Sequence, residues 1–184
     1  NRFSIRLKSP TGETNLNYQG NWRDIFQNWE ALAMSFPKLL TQMICRFVNA
    51  TTADGYNPYR LTKDGFEWEE PEPHDPWSNI GYWGDHQIIY LLKLLEAGRK
   101  TEPSSLDSLM NRQIFVHAQV PYRIKTFEQI QEDPHATIEF DQDLSQQIAR
   151  RVQEIGTDGK FLRNQSDDIH RVSLLEKLLT LTLA

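Results

Sequence analysis

The chain has 184 residues, 39% of them apolar and 24% charged, with a net charge of −5. That length and apolar share suit one domain with a real core and exclude a disordered chain. Lys and Arg are scattered and outnumbered by acids, which excludes the basic stripe of a nucleic-acid interface. The single cysteine, Cys45, excludes an internal disulfide, and no apolar run has the length of a bilayer span.

The opening, through "TGETNLNYQGNW", reads as an extended segment and a loop. "RDIFQNWEALAMSF" follows, with Ile25, Phe26, Trp29, Leu32 and Ala33 at helical spacing and Asp24 at the helix start, where a carboxylate suits the dipole. Pro37 suits the first turn of a second helix through "KLLTQMICRFVNA", whose stripe is Leu40, Ile44 and Phe47 or Val48. Two helices so tightly joined predict an antiparallel αα-hairpin. Cys45 lies in an apolar stretch and reads as a small buried filler.

Residues 51–84 are irregular and rich in aromatics, Gly and Pro. Long ordered loops in compact domains are often functional. Within them "LTKDGFEWE" predicts a small hairpin, with Asp-Gly favouring a type I′ turn. "DHQIIYLLKLLEAG" predicts a helix over residues 85–97, closed by Gly98 and apolar around most of its circumference, hence buried on more than one side. A short helix "SSLDSLMNR", an extended "QIFVHAQVPYRIK", a helical turn "TFEQIQEDP" stopped by Pro134, and an amphipathic helix "DQDLSQQIARRVQEIG" stopped by Gly156 come next. A last helix begins near Ser173. The chain starts without Met and ends in "LLEKLLTLTLA", an apolar helical pattern without a stop signal. We therefore expect residues 1–184 to be a single piece of a longer polypeptide, able to self-associate through faces exposed by truncation. No signal or transit peptide is read, so the expected location is the cytoplasm.

Several constellations carry chemistry. Arg23, Asp24, Gln27 and Asn28 supply donors and acceptors on the first turns of a helix, and Trp22 and Trp29 supply flat apolar faces. That set suits a sugar, with hydroxyls at its rim and C–H groups on its faces; a capped helix with Arg and Asp paired is the other account. Asp54, Tyr56 and Asn57 sit in a turn whose Gly and Asn-Pro are ordinary turn chemistry. "HDPWSNIGYWGDHQ" sets Tyr82, Trp83, Asp85 and His86 at the mouth of the apolar helix. A cap explains Asp85 but not its neighbours. The spacing of His74 and His86 fits no metal site, and no metal or cofactor is expected. The acids Glu67, Glu69, Glu70 and Glu72 read as a solvated run, and Tyr122, Arg123 and Lys125 as surface charge. No glycine-rich nucleotide loop, serine-hydrolase elbow or HExxH helix is present.

At "YQGNWRDIFQNWEAL", "FVNATTADGYNPYRLTKDGFEWE", "DPWSNIGYWGDHQIIYLLKLLE" and "VPYRIKTFEQI" the chain resembles a large bacterial protein group related to the six-hairpin glycosidases, the (α/α)6 barrels that include cellobiose-phosphorylase-like enzymes. The resemblance implies a mainly α structure: helical hairpins forming part of an (α/α)6 toroid, with long aromatic-rich loops and at most a small β hairpin. It implies pocket loops at residues 20–24 and 81–87 facing a carbohydrate. Asp85 and Asp24 would be the candidate catalytic acids. Arg23, Trp22, Gln27, Asn28, Tyr56, Asn57, Tyr82, Trp83 and His86 would bind substrate. The implied activity is glycoside hydrolysis or phosphorolysis. The alternative is a non-catalytic helical module for carbohydrate binding or assembly. Members of the group continue past "EKLL" into an acidic, Trp- and Asn-rich segment that this chain lacks, so the piece alone is expected to lack a complete active site.

Overall fold

A computed structural model describes residues 6–8, 14–17, 20–56, 60–62, 65–68, 87–134 and 137–183. Seven α-helices dominate these residues: α1 (Trp22–Ser35), α2 (Leu40–Asn49), α3 (Gln87–Thr101), α4 (Pro103–Leu109), α5 (Phe127–Glu132), α6 (Gln142–Ile155) and α7 (Leu174–Leu183). The mainly helical expectation holds. The sheet content is richer than one hairpin. Nine short strands form four small antiparallel sheets, pairing β1 (Arg6–Lys8) with β2 (Thr14–Asn17), β3 (Gly20–Asn21) with β4 (Arg60–Thr62) and β4 with β5 (Gly65–Glu67), β6 (Phe115–Val116) with β9 (Arg171–Val172), and β7 (Tyr122–Ile124) with β8 (Ile138–Phe140). Most of these pairs join segments distant in sequence, which local patterning does not announce.

The core is built on α1, α2 and α3. In α2 the residues Leu40, Met43, Ile44, Phe47 and Val48 recur at helical spacing and are all buried. Pro37 opens a 3-10 turn (Pro37–Leu39) that leads into α2, the place its fixed φ and missing N–H suit. Phe26, near the start of α1, meets Phe47, near the end of α2, at a ring-centroid distance of 5.3 Å. The two helices therefore run in opposite senses, as the tight connection predicts. Phe26 also stacks on Tyr90, near the start of α3, at 5.0 Å and 14°. At the far ends of the same two helices, Met34 and Thr101 line one groove. So α1 and α3 run in the same sense, with their first turns together.

Three local expectations need correction. Gly98 does not end α3, which continues to Thr101. Its role is close packing: a Cβ at Gly98 would lie 3.2 Å from Leu106 Cδ1 and 3.5 Å from Ile44 Cδ1. The stop comes from Pro103, which opens α4. Second, α3 is not covered on both sides. Leu91 and Leu94 are buried, whereas Ile89 and Leu92 are each 54% exposed. Third, Thr62 pairs with Gly65 across the β4–β5 hairpin, so Asp-Gly does not occupy the two central turn positions. Gly65 has φ +104° as the first residue of β5, a backbone region that only glycine adopts without strain.

The later elements follow their local signals. Thr126 and Gln129 form a reciprocal capping box at α5, with Gln129 Oε1 accepting from the Thr126 N–H at 3.1 Å. Asp141 caps α6 by accepting from Leu144 N–H at 2.9 Å, and Gly156, at φ +73°, closes it. A second 3-10 turn (Gly156–Lys160) folds back on α6 so closely that Gly159 has no room for a side chain. Ser173 and Glu176 form the cap of α7: the serine Oγ accepts from Glu176 N–H at 3.2 Å, and the carboxylate accepts from Ser173 N–H at 2.8 Å. Among the described residues no helix is long and apolar enough to cross a membrane.

Candidate functional site

The end of the bundle that carries the first turns of α1 and α3 is built by three short strands. β3 runs directly into α1, and its pairing with β4 (Gly20 with Leu61, Asn21 with Arg60) fixes where the helix begins. Leu61 and Phe66 of the hairpin are buried in the core. The hairpin is held from its other side as well: Lys160 Nζ donates to the Phe66 carbonyl at 2.9 Å, and Phe66 packs on Phe161 with centroids 6.0 Å apart. Ile25 and Phe26 then pin α1 by full burial, each side chain contributing about 1.5–3 kcal/mol.

On this frame Trp22, Arg23 and Asp24 occupy the first turn of α1, with only their backbone among the described features. Gln27 and Asn28 follow one turn on and are exposed. Trp29 is partly buried and meets Phe26 edge-on at 5.7 Å, so it belongs to the core rather than to a binding wall. Tyr56 is half-buried and closes the predicted turn: Thr52 N–H donates to the Tyr56 carbonyl at 2.8 Å, and Tyr56 N–H donates to Thr52 Oγ1 at 3.1 Å. Gly55, at φ +85°, supplies the left-handed position that turn requires. Asn57, Tyr82, Trp83, Asp85 and His86 lie outside the described residues. By sequence, His86 directly precedes Gln87, the first described residue of α3.

The surface reading of "QVPYRIK" gains a structural purpose. Arg123 Nε donates to Asp141 Oδ2 at 2.5 Å, and the same carboxylate caps α6. The Leu144 N–H, and then the Arg123 guanidinium, hold the Asp141 carboxyl below its ordinary range. Tyr122 packs edge-on against Phe140 at 5.3 Å. Cys45 is half-buried, and burial pushes its thiol up, away from the reactive thiolate. Among the described residues no group of three or more His, Cys, Asp or Glu could hold a metal ion.

Sequence reasoning missed the most unusual cluster. Lys177 is fully buried. Its Nζ donates to the Thr51 carbonyl at 3.0 Å and shares a hydrogen bond with His117 Nδ1 at 2.9 Å, so α7 is tied both to the end of α2 and to the segment after β6. Burial holds the Lys177 amine well below its ordinary value. His117 is lowered to about 4, first by desolvation, then by the charge of Lys177. His117 is therefore neutral at pH 7. His170 stacks over it, 6.3 Å between centroids. An amine of lowered basicity beside an imidazole would suit nucleophilic chemistry, but solvent does not reach Lys177. The cluster works as a clip. A signal was present: Lys177 stands three residues after Leu174 and four before Leu181, on the stripe both buried leucines share.

No protein-family model matches the chain, and a search of curated proteins finds no match.

Proposed function

We propose that the chain is part of a carbohydrate-active domain of the six-hairpin type, in which the first turns of α1 and α3 present a sugar site. The observation that supports this reading is the parallel run of α1 and α3, anchored by the Phe26–Tyr90 stack at 5.0 Å. Two helices that run in the same sense bring two dipole-positive N-termini to one end of the bundle. Arg23 and Asp24 sit on one of those turns, and Asp85 and His86 immediately precede the other in sequence. Trp22, Tyr82 and Trp83 supply faces for sugar C–H groups; Gln27, Asn28, Tyr56 and Asn57 supply partners for hydroxyls.

In this proposal Asp24 and Asp85 are the candidate acids of a glycoside hydrolase or phosphorylase. That chemistry needs a protonated carboxyl beside the leaving oxygen, and usually a second carboxylate across the bond. Saturation-transfer NMR with a panel of glucose disaccharides tests the site. Binding that is lost in Trp22→Ala and Asp85→Asn, with the fold retained by circular dichroism, supports the reading. Binding by none of the disaccharides removes it. Binding that survives both substitutions moves the site elsewhere and favours the non-catalytic module.

A further inference from the structure

A second concave surface lies between α1 and α3, away from the residues assigned to a sugar. It is a groove of about 290 Å³ whose walls include Phe26, Ala33 and Met34 from α1 and Tyr90, Leu94 and Ala97 from α3. That volume stands at the lower end of small-ligand sites, and the lining has their character: apolar walls with few polar groups. Met34, at the mouth, is 82% exposed, an unusual state for a long apolar side chain.

The charges on the rim are ordered. Glu30 lies four residues after Phe26, and Lys93 three after Tyr90, so the parallel helices place this acid and this base at one level. Lys100 stands two turns beyond Lys93 on the same side of α3, about 10 Å along the axis. No acid of the groove lining opposes it, and it forms no ion pair with any described residue. Lys38, next to the lining residue Pro37, is exposed and adds a cation at that end. The carbonyl end of α3 carries roughly half a negative charge, which Arg99 and Lys100 in its last turn offset.

We propose that this groove binds a medium-chain aliphatic carboxylate, with the chain laid along Ala97 and Leu94 toward Phe26 and Tyr90, and the carboxylate at Lys100. An apolar channel with Lys100 and Lys38 gathered at one end matches a ligand that is apolar along its length and anionic at one tip. The lysine stem adds apolar wall while its ammonium remains in water.

The test uses the whole chain with methyl-labelled side chains, titrated by NMR with sodium octanoate, octanamide and acetate. Saturable octanoate shifts centred on the Met34 and Leu94 methyls are expected, with acetate silent and octanamide weaker by about two- to fivefold, the size of an exposed charge contact. Ala97→Phe fills the groove and weakens octanoate by about tenfold or more. Met34→Glu changes an exposed residue, preserves the fold, and sets an acid near Lys100; it weakens octanoate more than octanamide. Equal octanoate affinity in Met34→Glu overturns the proposal, as do equal affinities for octanoate and octanamide, or shifts that do not saturate or spread over the surface.

Discussion

Replacing Lys177 by Met removes a buried amine while keeping an unbranched side chain of similar length. Unfolded, the lysine binds a proton below about 10.5; folded, burial keeps it neutral until well below that. The unfolded state therefore holds one more proton, and stability rises with pH by about 1.4 kcal/mol per pH unit in the range between the folded and unfolded values. Between pH 8.5 and 9.5 the wild type gains up to about 1.3 kcal/mol that Lys177→Met does not gain. Urea unfolding followed by circular dichroism at both pH values, on both proteins, measures the difference directly. On the acid side His117 adds a second slope. Its folded value near 4 lies below the ordinary 6.5, so its contribution is complete above 6.5 and is lost as pH falls through 4. The gap caps that loss at ~3.4 kcal/mol, and solvent screening reduces it to about half. Glu176 and His170 act on the same imidazole, the first favouring its cation and the second opposing it. Parallel stability profiles for wild type and Lys177→Met between pH 8.5 and 9.5 would refute the reasoning, because Lys177 would then titrate as an exposed lysine does.

Gly159→Ala should destabilise by about 1–3 kcal/mol, the cost of overpacking. Its Cβ would stand 2.6 Å from the Arg151 carbonyl carbon and the Val152 nitrogen, backbone atoms that cannot turn aside. Thermal unfolding should show the loss, and an unchanged midpoint would mean that the 3-10 turn does not rest on α6. Ser173→Ala removes the acceptor for Glu176 N–H and half of the α7 cap. A loss of about 0.5–2 kcal/mol is expected in urea unfolding. Because α7 carries Lys177, amide exchange in α7 should speed up together with exchange near Thr51.

The sequence by itself determined the features that depend on neighbours within a turn or two. The α2 stripe from Leu40 to Val48, the Pro37 entry, the Asp141 and Ser173 caps and the Gly156 stop are local steric and hydrogen-bonding events, and each stands where its residue types put it. The same reasoning failed where a partner distant in the chain decides. Gly98 reads as a helix stop, but Leu106 and Ile44 approach it and α3 runs on. Apolar residues around α3 read as burial on two sides, but only elements packed against a face can bury it, and Ile89 and Leu92 remain exposed. β6 finds β9 across more than fifty residues, a pairing no short-range pattern specifies. The candidate sugar residues were legible as types and spacings, while the approach of the α1 and α3 first turns came from the Phe26–Tyr90 contact. Lys177 shows the division most clearly. Its place on an apolar stripe is written in the sequence, but the lowered basicity of its amine exists only because folding packs it between Thr51 and His117 and shuts water out.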